Sequence, residues 1–362
     1  MKLLFIEPFF GGSHQQFAEG LRRYSSHQID IVSLPAVNWN WRLRGSALYF
    51  SQHIKNIEKY DGIITTNLMR LSDFKAYIRK QIPPVMVYFH ENQITYPLAP
   101  KEKRNPHLCM GDISTALASD RILFNSDFHK TSFFGAVSEV IDNSPDFPSE
   151  WVLGDIQKKS AVIYPGCSFQ MATKENIITK NEPPLIIWNH RWSYDKNAGD
   201  FFHALRILKK NNIDFRLAVL GENSEQIPDE FIRAEVEFKD NLVCFGYAKS
   251  REDYIHWLKK GDVVISTAIQ ENFGIAVVEA MYYGCIPLLP DRLSYPEILP
   301  KAFHSDFLYK SQRDLIEKLT GVIQNCQLHK KKIQSLQNYL EKYAWEESIS
   351  AYDIAIKKMI FP

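Results

Sequence analysis

Along the first half of the chain, short apolar runs alternate with amphipathic stretches. Leu3–Ile6, Ile29–Leu34, Gly62–Thr65, Val85–Phe89, Arg121–Asn125 and Ala161–Tyr164 predict strands, each bounded by turn or polar residues. His14–Tyr24, Ala47–Lys59 and Gly111–Ser119 carry helical spacing between them. Such alternation predicts βαβ units on a parallel sheet. Met171–Pro184 is polar, ends in two prolines and reads as a linker. A second series follows. Leu185–Trp188, Phe215–Leu220, Leu242–Phe245, Asp262–Ser266 and Ile286–Leu289 predict strands, and Asn197–Asn211, Ser250–Lys260 and Ala276–Gly284 predict helices. From Lys310 onward the pattern is helical, and Trp345 opens a last helix. The expected organisation is two α/β domains, 1–175 and 185–345, with 346–362 as a helix packing back toward the first. Two such sheets are expected to face a central cleft at their carboxyl ends, where open α/β sheets bind ligands.

Composition narrows the picture. A chain of 362 residues, 45% hydrophobic and 23% charged, is ordinary globular material for two domains. A formal charge of +1 excludes nucleic-acid binding through a diffuse positive field. The five cysteines form no C-x-x-C and read as reduced, buried thiols of a cytoplasmic protein. The first residues are too short an apolar run for a signal peptide, and no stretch is apolar enough to span a membrane.

Five segments carry candidate chemistry. In Glu271-Asn272-Phe273-Gly274-Ile275-Ala276-Val277-Val278-Glu279, two glutamates stand in a loop and in the helix it opens, and Gly274 marks the helix start. Unpaired amides and the dipole at such an end attract phosphate, and a nearby glutamate can accept from sugar hydroxyls. Arg191 and Lys196 lie five apart in the loop after the first strand of the second domain, a spacing that can bracket a diphosphate. Gly11-Gly12 follows the first strand and allows close backbone approach. Phe89-His90-Glu91-Asn92-Gln93 sets four polar residues at a strand's carboxyl end, where histidine beside glutamate suits acid–base work or hydroxyl binding. Trp39-Asn40-Trp41-Arg42-Leu43-Arg44 offers rings that stack and guanidinium groups that pair with phosphate. Each segment has a plain structural alternative: a capped helix, a solvated loop, a simple turn, a satisfied histidine, or an aromatic cluster in a core.

Absent motifs exclude other chemistries. No G-x-G-x-x-G occurs, which argues against a nicotinamide dehydrogenase. No Asp-x-Asp, His/Cys metal spacing or G-x-S-x-G occurs either, so no metal cofactor is expected.

Taken in order, the Gly-Gly loop, the Arg…Lys pair, the Glu-x7-Glu motif, Gly284-Cys285-Ile286-Pro287 and Tyr295-Pro296-Glu297-Ile298 resemble the retaining glycosyltransferases of the two-Rossmann, GT-B type. Leu34-Pro35-Ala36, Trp39, Trp41-Arg42, Ser46–Gln52, Phe89–Gln93 and His190-Arg191-Trp192 are similar to the tRNA-queuosine α-mannosyltransferases, from Phe5 to about Trp345. That resemblance implies a retaining, metal-independent transfer of mannose from GDP-mannose to queuosine in tRNA, by a cytoplasmic enzyme with no membrane partner. The first domain would then take the acceptor and the second the nucleotide sugar.

The resemblance also implies roles. Arg191 and Lys196 would hold the donor diphosphate, and Glu279 the ribose. The amides of Phe273, Gly274 and Ile275 would meet phosphate or sugar. Gly12 would lie on the donor side, with His90 and Glu271 as catalytic residues. Trp39, Trp41, Arg42, Arg44, Glu91 and Asn92 would bind the acceptor. Two rivals stand beside this reading: a GT-B enzyme with a lipid or polysaccharide acceptor, and a non-catalytic sugar-nucleotide or RNA-binding protein.

Overall fold

A computed structural model describes residues 1–99, 102–144, 149–169, 182–221 and 227–362. The chain divides into two compact units, Met1–Ser168 with Tyr343–Pro362, and Phe169–Lys342. The second unit therefore begins at Phe169 rather than at 185. Tyr343, Ala344 and Trp345 belong to the first. The expected linker lies mostly outside the described residues.

The first unit is built on a six-stranded parallel sheet in the order β2-β1-β3-β4-β5-β6. Its strands are β1 (Lys2–Phe10), β2 (Gln28–Pro35), β3 (Gly62–Thr66), β4 (Val85–Phe89), β5 (Arg121–Phe124) and β6 (Ser160–Val162). The helices between them are α1 (Gly12–Tyr24), α2 (Trp39–His53), α3 (Leu71–Tyr77), α4 (Pro106–Ala118), α5 (Asp127–Asp142) and α6 (Trp151–Lys158). Side chains alternate across a strand, so β4 feeds two cores. Val85, Val87 and Phe89 face one with Leu4, Ile6, Phe124 and Phe133. Met86 and Tyr88 face the other with Leu3, Phe5 and Phe17. Burial on both faces explains why β4 reads as an unbroken apolar run.

The second unit repeats the plan with strand order β12-β11-β10-β7-β8-β9. Its strands are β7 (Leu185–Trp188), β8 (Arg216–Leu220), β9 (Leu242–Gly246), β10 (Val263–Ile265), β11 (Ile286–Pro290) and β12 (Leu308–Tyr309). Its helices are α7 (Ala198–Lys210), α8 (Asp229–Glu237), α9 (Arg251–Lys260), α10 (Ile275–Tyr282), α11 (Tyr295–Ile298), α12 (His304–Phe307), α13 (Gln312–Gln324) and α14 (Cys326–Leu340). Buried Asp262 ties β7 to α14: it accepts from the Leu185 amide at 2.7 Å and pairs with Lys330 at 2.5 Å.

The last helix, α15 (Trp345–Ile360), adds Trp345, Tyr352, Ala355, Ile356 and Met359 to the core behind β1 and β4. Trp345 fits because two neighbours lack side chains. A Cβ at Gly20 or at Gly166 would lie 2.2 Å from its indole, well inside van der Waals contact. The five cysteines are free thiols. No helix among the described residues is long and apolar enough to cross a membrane.

Candidate functional site

In the second unit, three loops at the carboxyl ends of β7, β10 and β11 are stitched together. Thr267 Oγ1 donates to the carbonyls of Lys196 and Asn197, and the amide of Ile269 donates to the carbonyl of Asp195. Arg292 donates to the carbonyl of Ala268 at 3.0 Å, and Ser294 Oγ to those of Glu271 and Phe273. These bonds fix the loop that carries Glu271 into α10. Gly274 caps that helix at φ 94°, a left-handed conformation that disfavours any side chain. The first amides of α10 have no intrahelical acceptors, and they open at this loop.

Lys196 is only 8% exposed. Its ammonium donates to the Gln270 carbonyl at 2.9 Å and pairs with Asp195 at 3.1 Å and Glu271 at 3.2 Å. Burial works against its charge, but Glu271 and then Asp195 outweigh that and hold its pKa above the ordinary lysine range. The Arg191 side chain is 59% exposed and lies 4.0 Å from Asp195. The expected Arg191/Lys196 pair is thus two different things. Lys196 is buried and ion-paired to two carboxylates, and the Arg191 side chain is exposed. Their two positive charges are matched by Asp195 and Glu271.

His190 and Trp192, beside Arg191, are buried. Trp192 stacks on Phe231 at 4.3 Å, and burial followed by Lys196 pushes the His190 pKa down to about 4. Both are core residues. Glu279 is 4% exposed on α10, and Arg251 at the start of α9 pairs with it. Asn189 Nδ2 fastens the same helix through the Ala276 carbonyl at 2.8 Å.

The first unit brings its candidates together at the carboxyl ends of β1 and β4. Gly11 and Gly12 are glycine for different reasons. A Cβ at Gly11 would lie 2.5 Å from that of Ala36, whereas Gly12 has open space but a φ of +52°. The His90 and His14 rings lie against one another, tilted, with centres 4.1 Å apart, and the His14 ring meets the buried Glu7 carboxylate at 3.2 Å. Ligand atoms of Glu7, His14 and His90 all lie within 4.8 Å of one another. Burial, then His14, then His129, hold the His90 pKa well below the ordinary range.

Glu91 is half-buried beside His90. Asn92 departs from its expected acceptor role. It is fully buried, and its carbonyl oxygen accepts from the amide and hydroxyl of Thr95. It shapes the turn instead of facing a ligand.

The Trp39–Arg44 segment forms the first turns of α2, which starts ahead of the expected helix start at Ala47. Trp41 is 68% and Trp39 44% exposed. Arg44 is exposed, and Arg42 is half-buried with its Nε donating to the Pro35 carbonyl at 3.3 Å. The segment is a surface feature, so the core-cluster alternative fails. Sequence reasoning gave no role to Glu7, His14, Asp195, Arg251 or Arg292. The first two come from separate elements and the others read as surface charges.

Solved structures share this architecture. Sucrose-phosphate synthase from Thermosynechococcus elongatus superposes over the full length of both chains with a TM-score of 0.76 at 11% identity. A glycosyltransferase from Rickettsia africae covers 99% of this chain and 98% of its own, with a TM-score of 0.68 at 15% identity. Two six-stranded parallel sheets of this kind define the GT-B fold.

Residues 2–167 match the family described as tRNA-queuosine alpha-mannosyltransferase N-terminal, and residues 170–342 match glycosyl transferases group 1. A Drosophila melanogaster protein named tRNA-queuosine alpha-mannosyltransferase is 34% identical over 363 residues, 97% of this chain and 95% of its own. A GDP-mannose:cellobiosyl-diphosphopolyprenol alpha-mannosyltransferase of Xanthomonas oryzae is 26% identical over 174 residues, 46% of this chain and 45% of its own. The chain belongs to the tRNA-queuosine alpha-mannosyltransferase family and is a glycosyltransferase.

Proposed function

We propose that this enzyme transfers mannose from GDP-mannose to the queuosine nucleoside of tRNA, with retention at the anomeric carbon, in the cytoplasm. The likeness to the Drosophila protein along 97% of the chain carries the reading. The GDP-mannose donor agrees with the name of the Xanthomonas relative. In the second unit, Glu279 takes the ribose and Arg191 the diphosphate, helped by the amides of Phe273, Gly274 and Ile275 at the head of α10. Lys196 orients Glu271, which contacts the transferred sugar. In the first unit, Gly12 and His90 serve the reacting centre. Trp39, Trp41, Arg42, Arg44 and Glu91 serve the tRNA.

Transfer proceeds without a divalent metal. The sequence has no Asp-x-Asp to hold one against a diphosphate, and Arg191 with the α10 amides supplies positive potential there. The test is incubation of deacylated tRNA with radiolabelled GDP-mannose or UDP-glucose in excess EDTA, followed by digestion to nucleosides. Label from GDP-mannose in a modified nucleoside is expected. Activity lost on chelation and restored by Mn²⁺ contradicts the metal-free arm, and label from UDP-glucose alone contradicts the donor.

A further inference from the structure

Three elements of the first unit meet around Glu7. Its carboxylate is fully buried, and Oε1 accepts from the Phe9 amide at 2.9 Å, from Thr66 Oγ1 at 3.1 Å and from the His14 ring at 3.2 Å. Its Oε2 is buried with no hydrogen-bond partner among the described residues. A buried carboxylate is stable only where a positive or strongly polarised group compensates it. His14 is the ionisable side chain bonded to it. On its other side, the His14 ring lies against His90 at 4.1 Å, with 37° between the planes. Phe17 and Tyr88 close around His90 at 5.1 and 4.9 Å.

We propose that Glu7 and His14 are a positioning pair for His90: the Glu7 carboxylate fixes the His14 ring, and that ring packs against His90 and holds it in place. Glu7, fully buried, is too enclosed to be a reacting group itself. The same arrangement, a carboxylate orienting an imidazole, keeps a catalytic ring in one tautomer and one rotamer. The titratable groups around His90 include Glu7 on β1, His14 on α1, Tyr88 on β4 and His129 on α5. Burial, then His14, then His129, hold the His90 pKa well below the ordinary range. His90 therefore works as a neutral hydrogen-bonding group. A shared metal ion is the competing use of this cluster. Imidazoles that share an ion meet it edge-on, each in its own ring plane, whereas these two rings pack at 4.1 Å between centres with 37° between their planes.

The proposal rests on the transferase reading for its rate arm only. Glu7→Gln, His14→Gln and His14→Phe are compared with wild type for kcat, donor KM and ring titration by NMR of labelled histidines. In wild type, the His90 ring titrates below the ordinary histidine range. In Glu7→Gln, the His14 ring resonances shift, as expected for a ring that has lost its carboxylate partner. kcat falls by about ten- to a hundredfold at unchanged donor KM in Glu7→Gln and His14→Gln. His14→Phe, which keeps the ring packing, recovers part of that loss. Thr66→Val, which removes one bond to Glu7, gives a smaller shift in the same direction and serves if Glu7→Gln does not fold. A folded Glu7→Gln with unchanged His14 ring resonances and kcat overturns the proposal. So does a stoichiometric transition metal that disappears in His14→Phe. If the wild type transfers no sugar, the NMR arm still decides, and that failure belongs to the functional reading alone.

Discussion

Arg251 meets both carboxylate oxygens of Glu279: Nη1 lies 3.2 Å from Oε2, and Nη2 donates to Oε1. The acid assigned to the ribose is thus already paired, by a residue 28 positions away at the start of another helix. Replacing Arg251 by alanine leaves a buried carboxylate without its partner. The expected cost is about 1–3 kcal/mol, read as a lower midpoint in urea unfolding. Adding Glu279→Gln to Arg251→Ala should return part of that loss. Glu279→Ala should weaken GDP binding by about ten- to a hundredfold in calorimetry. Wild-type affinity in Glu279→Ala removes it from the donor site.

The exposed head of α2 makes the acceptor assignment testable. Trp41 stands 68% exposed, so its loss removes little core. Trp41→Ala should melt within a degree or two of wild type and bind GDP normally. Its tRNA affinity should fall by about 1–3 kcal/mol, the usual worth of one stacked base. Arg44→Ala should flatten the salt dependence of tRNA binding, as expected for a lost phosphate contact. A joint loss of stability and GDP affinity in Trp41→Ala contradicts the assignment.

Acid and base act in opposite directions on this fold. Burial lowers the His129 pKa to about 3, and burial followed by Lys196 lowers that of His190 to about 4. Their unfolded forms take up protons near pH 6.5. The stability they contribute is full above that pH and declines as pH falls toward 4 and 3. Asp112 runs the other way. Burial raises its pKa to about 7, against the hydrogen bonds from the Gln93 amide and Asn67. Its contribution is full below about pH 4 and is lost as pH rises through 7. The histidines outnumber it, so wild type should lose stability between pH 7 and 5. Asp112→Asn should gain on wild type as pH rises from 5.5 to 8. Parallel melting curves at both pH values contradict the Asp112 assignment.

The strands were legible because burial on both faces leaves continuous apolar runs, as in Val85–Phe89, with the same bounds in sequence and structure. The start of α2 was not. Its cap, Asn38, is left-handed at φ 53°, and Gly45 and two tryptophans weaken the helical pattern that follows. Helix α5 also went unread, although Phe133, Val137 and Ile141 are spaced four apart on its buried side. Its aromatic and β-branched content lowers helix propensity. Of the site, the Glu-x7-Glu loop was legible because both acids belong to one strand–loop–helix unit. The Lys196–Glu271 tie spans 75 residues, and the Glu7–His14–His90 cluster joins two strand ends and a helix. No local spacing encodes such meetings; they follow from the parallel order of the strands.

The central claim concerns the acceptor nucleoside, and two preparations of one tRNA, with and without queuosine, test it most directly. Each is incubated with the enzyme and labelled GDP-mannose, then digested and resolved as nucleosides. The account predicts label in a mannosylated queuosine from the first preparation and none from the second. Equal labelling of both, or label in neither while a polyprenyl diphosphate sugar accepts mannose, would contradict it.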